Sequence, residues 1–449
     1  MTSGGNGIRW PSRISWPRST RLFTGPGTAG VPPTSASIRG YSFILRPLSL
    51  TLDQILCLVC VTLLGIGLTM VQSADARVGP LSNFWLLDFF FNGSCVHVVL
   101  AIVLMCLMWR IDYRKLMGRT LLGSFAFWFT LFSIFLLGLV FTHLGASING
   151  ARRWLIIRAG SHSLTFEPSE LAKWSLVLFI SAYAAHYHDR IQSFFKGFLP
   201  CIAVLGLTCA LILKEDFGTT VLIAGVCVIL MLMAGCRWWH IAWLIPVAIL
   251  VGYFAVAHSA YRSQRLLIFL HPQLDPKGAG YNPMQSLLSF ASGGFSGLGL
   301  GNGVQKMGYL PEDSTDFIFS LIAEELGFFG CLTVVLLFLI LTFCGLRIAL
   351  RSRDLFGKMV AFGVTAMIGF QAAMNIAVVT VTVPTKGIAL PMISSGGTGW
   401  IMTAGAIGLL MSIERTNRLG LVAGTENRSA PSVSAPPQSL SASTVRGTS

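Results

Sequence analysis

Repeated apolar runs constrain this chain more than any other feature of its sequence. Each run is close to the roughly 20 residues that an α-helix needs to cross a bilayer. Polar, basic or glycine-rich segments separate the runs. The candidate spans number about ten and are residues 50–72, 95–109, 121–144, 171–187, 198–213, 219–234, 239–257, 317–341, 360–383 and 393–412.

The composition agrees with a membrane protein. The 449 residues are 53% hydrophobic and only 11% charged, whereas soluble domains are about 25% charged. The sequence therefore predicts an all-α polytopic membrane protein with about ten transmembrane helices. Most of the ten cysteines lie inside the apolar runs. No metal site is predicted, because the Cys57-x-x-Cys60 pair has no second pair of ligands.

The two ends of the chain differ from its middle. Residues 1–47 are rich in Ser, Pro, Gly and Arg and lack the apolar content to fold, which predicts a disordered basic tail. Residues 419–449 are also predicted to be disordered, and residues 48–418 form one membrane domain. The formal net charge of +14 lies in loops and tails, where it sets membrane orientation and does not indicate a nucleic-acid partner.

The distribution of lysine and arginine places both termini in the cytoplasm. Two large outer loops remain, residues 145–170 and 258–315. Several basic residues fall on the outer side against this bias, and they indicate either an anionic partner there or pairing with nearby acids and lipid headgroups. They are Arg152, Arg153, Arg158, Arg262, Arg265, Lys277, Lys306 and Lys386.

One polar stretch, residues 281–327, interrupts the apolar pattern with a group of carboxylates that includes Glu312 and Asp316. Asp316 stands at the start of an apolar run, where an ionisable group is costly and marks a candidate functional site. A glycine-rich run at 293–303 precedes it, and Lys306 follows that run. Backbone amides in such a run could approach a phosphate closely, or the run could pack against helix ends.

Two further connections carry candidate residues. Arg152 and Arg153 lie in the first outer loop, and Glu170 and Lys173 follow it, three residues apart on one face of the fourth span. This acid–base pair either holds two helices in register or lines a polar cavity. The last outer connection contains Lys386 between two prolines. Irregular backbone at membrane depth is tolerated only where it is buried in protein or lines a cavity.

These residue types suit acid–base chemistry on an anionic substrate. A carboxylate can remove a proton from an alcohol, while nearby cations stabilise a pyrophosphate leaving group. No Walker, HExxH or nucleophile-elbow motif occurs in the sequence. The residues alone therefore predict an integral membrane protein that handles an anionic lipid-linked substrate at its outer face.

Several longer motifs resemble those of the SEDS family of bacterial FtsW, RodA and SpoVE proteins. The similarity follows the family's order and covers residues 50–418, nearly the whole membrane domain. The motifs are NGARRW (149–154), EPSELAK (167–173), EDFGTTVL (215–222), the QSL and GGFSGLGLGNGVQK run (285–306), LPEDSTDFIF with AEELG (310–327) and PTKGIALPMISSGG (384–397).

The resemblance implies a peptidoglycan glycosyltransferase of the bacterial inner membrane. Such an enzyme joins lipid II units into a nascent glycan strand, releases undecaprenyl pyrophosphate, and works with a class B penicillin-binding protein and other divisome proteins. The aspartate of the family's HTDFIF motif corresponds to Asp316, which would be the catalytic base. A divalent cation, magnesium or manganese, is compatible with this chemistry, but no residue set demands one. Candidate substrate-binding residues are Arg152, Arg153, Glu170, Lys173, Lys306, Glu312 and Lys386.

The PTKG segment at 384–387 resembles the FtsW branch, which acts at the division septum, more than the RodA branch, which acts in elongation. The chain departs from the family where Ser314 replaces histidine, Lys214-Glu215 replaces Gln-Pro, and Ser395 replaces tyrosine. A lipid II flippase and a non-catalytic scaffold are alternative functions. Charged loops on one face favour a polymerase over a transporter, whose alternating access needs polar residues reachable from both sides.

Overall fold

A computed structural model describes residues 50–75, 93–148, 151–159, 162–271, 275 and 277–429. These residues belong to one compact unit, Leu50–Ser449. The tail predicted at 1–47 lies outside the described residues, as do residues 430–449.

Fourteen α-helices form within the described ranges. They are α1 (Leu52–Asp75), α2 (Gly93–Arg110), α3 (Arg114–Met117), α4 (Phe125–Leu139), α5 (Pro168–His186), α6 (Leu199–Leu213), α7 (Phe217–Met233), α8 (Trp238–Ala242), α9 (Leu244–Ala257), α10 (Ala260–Leu270), α11 (Tyr281–Gly293), α12 (Ile318–Arg351), α13 (Leu355–Val379) and α14 (Gly397–Ser429). Short 3₁₀ turns at His188–Arg190 and Gln305–Met307 and a π-helical turn at Phe194–Phe198 complete the helical structure of these ranges.

All of the predicted spans fall on helices, which confirms a mostly helical, multi-pass membrane protein. Among the described residues, six helical segments are long and apolar enough to cross a membrane. They are Leu52–Asp75, Gly93–Arg110, Phe194–Leu213, Trp238–Ala257, Ile318–Arg351 and Leu355–Val379. The apolar helices α4 and α7 are shorter. A count of about ten spans and the cytoplasmic position of both termini stay predictions.

The prediction of an all-α protein is wrong between α4 and α5, where the described residues form a three-stranded antiparallel sheet. Its strands β1 (Gly145–Ile148), β2 (Ala151–Ala159) and β3 (His162–Phe166) lie in the order β1–β2–β3. Leu155 in the central strand pairs with Gly145 on one side and Phe166 on the other. Aromatic and β-branched residues such as Trp154 and Ile156 favour this pleated structure.

The ends of the membrane domain meet at one end of the helix bundle. Arg418 Nη1 in α14 lies 3.4 Å from Asp53 Oδ1 at the start of α1. At the same end, the Ser412 hydroxyl donates a hydrogen bond to the Ile111 carbonyl. The contact between residues 53 and 418 agrees with an even number of membrane crossings between them.

The last helix is longer than the sequence predicts. α14 continues to Ser429, past residue 419, and the disordered tail at residues 419–449 stays a prediction. Pro431 follows soon after, and proline cannot continue a helix because it lacks a backbone N–H and clashes with the preceding turn.

The helix α12 is broken near its beginning. Gly327 has φ 66° and ψ −161°, so residues 318–326 form a short half-helix that starts just after Asp316. The glycine-rich loop bonds to this break, because the Leu298 amide donates to the Glu324 carbonyl and the Phe328 amide donates to the Gly294 carbonyl. These bonds satisfy backbone groups that the break leaves unpaired and fix the half-helix.

Candidate active site

Asp316 faces a cavity at the end of the bundle opposite Asp53. The cavity has a volume of about 130 Å³, and its charged lining residues are Arg265, Glu312, Asp316 and Lys386. Asn375 Nδ2 in α13 donates to the Asp316 carbonyl at 2.9 Å and to the Ile388 carbonyl at 2.7 Å. One buried amide therefore fixes both the backbone before α12 and the backbone that leaves α13.

A larger cavity of about 600 Å³ adjoins the first. Its charged lining residues are Arg153, Lys214, Glu215, Asp216, Arg262, Arg265 and Lys386. Arg265, Lys386 and Gly387 line both cavities. We call the two together the composite cavity. It combines the Asp316 carboxylate with basic side chains from four segments, which are β2, the turn after α6, the helix α10 and the connection after α13.

An ion pair attaches the β-sheet to this cavity. Arg153 Nη1 lies 3.1 Å from Asp216 Oδ2, while its Nε and Nη2 donate to the Glu215 carbonyl. The Asp216 carboxylate also accepts the Thr219 amide at 3.0 Å and thereby caps the N-terminus of α7. The polar turn at 214–216 is therefore a wall of the cavity as well as a connection between α6 and α7.

Two arginines of α10 fix the opposite wall. Arg262 Nη2 donates to the carbonyls of Leu213 and Lys214, each at 3.1 Å. Arg265 Nη1 donates to the Thr385 carbonyl at 3.1 Å. These hydrogen bonds to backbone carbonyls fix the positions of the two guanidinium groups on the wall of the composite cavity.

Phe217 lies between two of the cations. The Arg262 guanidinium is 5.6 Å from the centroid of the Phe217 ring, and Lys386 Nζ is 4.9 Å from it. Both distances suit a cation–π contact. Burial lowers the pKa of Lys386, and the charge of Asp216 acts in the opposite direction.

The environment of Asp316 suits a general base. Burial, assisted by the negative charge of Glu312, raises the pKa of Asp316 to about 7, although Arg153 and Arg265 act against the shift. A base is most effective when its pKa lies near the working pH. This carboxylate is therefore partly ionised at neutral pH and accepts a proton more readily than an ordinary aspartate, whose pKa is about 3.9.

We expect the pH profile of activity to report this carboxylate. Because a base must be ionised, kcat/KM should fall as the pH is lowered through about 7, not near 4 as for an ordinary aspartate. Glu312→Gln removes a charge that raises the pKa of Asp316, so the inflection should move to lower pH. Steady-state rates between pH 5 and pH 9, a range chosen around neutral, measure both effects. An inflection that Glu312→Gln leaves in place would contradict the assignment.

The structure brings four of the sequence-predicted site residues together. Arg153, Glu312 and Lys386 line the composite cavity with Asp316. Arg152 lies at its edge, where its amide donates to the Glu215 carboxylate at 2.9 Å and its side chain is exposed. Among the described residues, no three His, Cys, Asp or Glu side chains form a group that could hold a metal ion. No residue set for magnesium or manganese is therefore assigned.

Glu170 and Lys173 lie elsewhere, in the contact between α5 and α13. Lys173 Nζ is 2.7 Å from Glu170 Oε1 and 2.8 Å from Gln371 Oε1. Lys173 is only 1% exposed, and neither residue of the pair lines the composite cavity. The structure therefore favours the alternative in which this pair holds two helices in register, and a role of the two residues as substrate contacts stays a prediction.

Lys306 is also buried in a structural contact. Its Nζ lies 3.1 Å from Glu325 Oε1 and 3.2 Å from Ser73 Oγ, and it does not line the composite cavity. The predicted contact between Lys306 and pyrophosphate stays a prediction, while the contacts present in the structure are with Glu325 and Ser73. Sequence alone could not show this, because Ser73 lies in α1, far away along the chain.

The glycine-rich run packs against the broken helix and does not present its amides to a phosphate site. The Gly301 amide donates to Glu325 Oε2 at 3.1 Å, and the Val304 amide donates to Glu324 Oε1 at 2.9 Å. Both carboxylates are buried. Of the two alternatives for this run, packing against helix ends is the one observed.

We expect Lys306→Met to act on stability. It leaves the Glu325 charge buried without its cation, which typically costs about 3–5 kcal/mol of folding free energy. Thermal unfolding of the detergent-solubilised protein should show a clear fall in Tm, whereas the same change at the exposed Lys277 should not. A variant with normal Tm and a raised KM would instead support the prediction that Lys306 contacts the substrate.

Sequence reasoning missed several residues that build the site. They are Asp216, Asn375 and Gly387. Arg262 and Arg265 were predicted only as outer basic residues that meet either an anionic partner or nearby acids and headgroups. Asn375 could have been identified from the sequence, because an amide side chain inside an apolar span needs a hydrogen-bond partner. No sequence signal marks Gly387 as a site residue, because its role depends on its close approach to Asp316, which is distant in the sequence.

The fold and site define a class: a multi-pass membrane protein with an acid–base site at one end of its helix bundle. The chain belongs to the FtsW/RodA/SpoVE family of cell cycle proteins, whose family model matches residues 54–419. This confirms the resemblance that the motifs indicated.

Relatives and solved structures agree with the family. The probable peptidoglycan glycosyltransferase FtsW of Geobacter metallireducens is 36% identical over 363 residues, covering 80% of this chain and 94% of that protein. Stage V sporulation protein E of Bacillus subtilis is 34% identical over 368 residues, covering 82% and 98%. A chain from a structure on the coordination of polymerization and crosslinking by a peptidoglycan synthase complex matches with a TM-score of 0.64 at 25% identity, covering 81% and 97%. The RodA crystal structure from Thermus thermophilus matches with a TM-score of 0.56 at 25% identity, covering 81% and 96%.

Proposed function

We propose that this chain is a peptidoglycan glycosyltransferase that joins lipid II units into glycan strands during septal cell-wall synthesis. One observation carries the proposal: Asp316, with its pKa raised to about 7, shares a cavity with Lys386 and Arg265. A base beside fixed positive charge is what transfer of a sugar from a pyrophosphate carrier requires. Family membership and the names of the relatives support it.

The proposed reaction uses the two sides of the composite cavity differently. Asp316 accepts the proton of the acceptor sugar's 4-hydroxyl as that oxygen bonds to the anomeric carbon of the donor. The bond between this carbon and the pyrophosphate oxygen breaks, and its electron pair leaves with the pyrophosphate. Lys386, Arg262 and Arg265 stabilise the charge that develops on the leaving group.

The proposal also covers the membrane orientation, the partner and the cellular position of the enzyme. The composite cavity faces the outer side of the cytoplasmic membrane, and residues 53 and 418 lie at the cytoplasmic side. The partner is a class B penicillin-binding protein, which supplies the transpeptidase, as the similarity to a chain of a peptidoglycan synthase complex suggests. The position within the cell is the division septum, in agreement with relatives named FtsW.

The test is polymerisation of lipid II by the purified chain together with its class B penicillin-binding protein in lipid vesicles. We expect glycan strands on a gel, and none when this chain is omitted. If no strands form but lipid II crosses the vesicle membrane, the chain is a transporter. Depletion in cells separates division from elongation, because loss of a septal enzyme gives filaments and loss of an elongation enzyme gives round cells.

A further inference from the structure

An apolar groove lies between α7 and α13, next to the composite cavity. Its volume is about 190 Å³, and every residue that lines it is apolar. Gly225 from α7 and Phe370 from α13 line this groove and are exposed. The groove is therefore open at the side of the bundle, where membrane lipid would lie.

The helices that form the groove also form the composite cavity. Gly218, Leu222, Gly225 and Ile229 lie on one face of α7, because they follow one another at intervals of four or three residues. Gly218 lines the composite cavity and the other three line the groove. At 1.5 Å per residue, this face extends about 16 Å from Gly218 to Ile229.

The second helix contributes to both sites from different faces. Met374 of α13 lines the groove, and the next residue, Asn375, donates a hydrogen bond to the Asp316 carbonyl. Along α7, Leu222 in the groove follows Gly218 in the composite cavity by four residues, so the groove begins about one helical turn from that cavity. The cations Arg262 and Lys386 lie on that side.

We propose that this groove binds the part of a polyisoprenyl chain nearest to the pyrophosphate of the lipid-linked substrate. The inference rests on the proposed function and adds a subsite to it. The pyrophosphate contacts Arg262 and Lys386, and the chain continues along the apolar face of α7. Enclosed sites for drug-sized ligands measure roughly 300–1,000 Å³, so this smaller groove takes only the first isoprene units and leaves the rest in the bilayer.

The groove contributes more to the orientation of the bound substrate than to its binding free energy. A polyisoprenyl chain is already in an apolar solvent in the bilayer, so its transfer into the groove gains close packing but little hydrophobic free energy. Holding the first units of the chain fixes the pyrophosphate and the anomeric carbon relative to Asp316. Such orientation is one of the main sources of catalytic rate.

Gly225→Leu tests the groove directly. No atom lies within 4 Å of a Cβ built at Gly225, so a leucine fits there, occupies the groove and improves helix propensity. Gly206→Leu in α6 is a matched control, because Gly206 also has open space around it and does not line the groove. Both variants are assayed with the partner protein, on donors that carry an undecaprenyl chain or only a methyl group on the pyrophosphate.

We expect Gly225→Leu to lower kcat/KM for the long-chain donor on the order of tenfold, as for the loss of about ten close carbon–carbon contacts. For the methyl donor, which has no isoprene unit to enter the groove, kcat/KM should change much less, and Gly206→Leu should change neither value. An equal change of kcat/KM for both donors, or no change for either, would overturn the inference. Absence of polymer from the wild type with both donors would instead reject the proposed function.

Photocrosslinking tests the groove independently of turnover. A polyisoprenyl pyrophosphate with a diazirine in its first isoprene units should label α7 and α13 at the groove in the wild type, and Gly225→Leu should lose that label. Excess undecaprenyl pyrophosphate should compete with the probe, whereas excess phospholipid should not. Labelling that phospholipid removes equally well would show that ordinary bilayer lipid occupies the groove and would overturn the inference.

Discussion

Asp316→Asn is expected to abolish glycan polymerisation while leaving the fold intact. The asparagine keeps the shape of the side chain but cannot accept the acceptor's proton, and removal of a general base typically costs about 10²–10⁴-fold in rate. The hydrogen bond from Asn375 reaches the Asp316 carbonyl, not its carboxylate, so the substitution preserves that contact. The measurement is lipid II polymerisation by the purified variant with its partner, at expression and partner binding equal to those of the wild type.

Asp313→Asn is the matched control, since it removes a carboxylate from the same loop that does not line the composite cavity. It should retain most of the activity. If Asp316→Asn polymerises lipid II as fast as the wild type, Asp316 is not the base. Glu312 would then be the next candidate, because its carboxylate lines the same cavity.

The helices and the candidate base could be predicted from the sequence because both predictions depend on local patterns. Apolar runs of about 20 residues specify spanning helices by themselves, and Asp316 stands out as a charge at the edge of such a run. The β-sheet was missed because strands without a clear alternation are hard to distinguish from loops. Its existence depends on pairing with the neighbouring strands.

The sequence did not distinguish two lysines whose surroundings differ in the structure. Lys306 and Lys386 each lie two or three residues after a glycine or proline in a loop predicted to be outside, and nothing local separates them. Tertiary contacts do so, because Lys306 pairs with the buried Glu325, whereas Lys386 contacts the Phe217 ring beside the cavity. A basic residue in an outer loop therefore indicates a substrate contact only after its possible acidic partners are known.

Gly387→Ala is expected to lower kcat about 10²-fold with little effect on stability. A Cβ at this position would lie 2.7 Å from Asp316 Oδ2, and its next nearest neighbours are other atoms of the same carboxylate. The end of a flexible side chain can turn away, so the fold tolerates the methyl group, but the base is displaced. Displacement of a reacting group by about 1 Å can cost roughly this factor.

The Gly396→Ala control separates displacement from general damage to the loop. A Cβ at Gly396 meets only the Ser394 carbonyl, at 3.9 Å, so that variant should retain its kcat. For Gly387→Ala, a fall in kcat at unchanged KM and Tm would show that the position of the Asp316 carboxylate limits the rate. A normal kcat would mean that the rate does not depend on the position of the Asp316 carboxylate beside Gly387. A large fall in Tm would mean that the added methyl group strains the backbone.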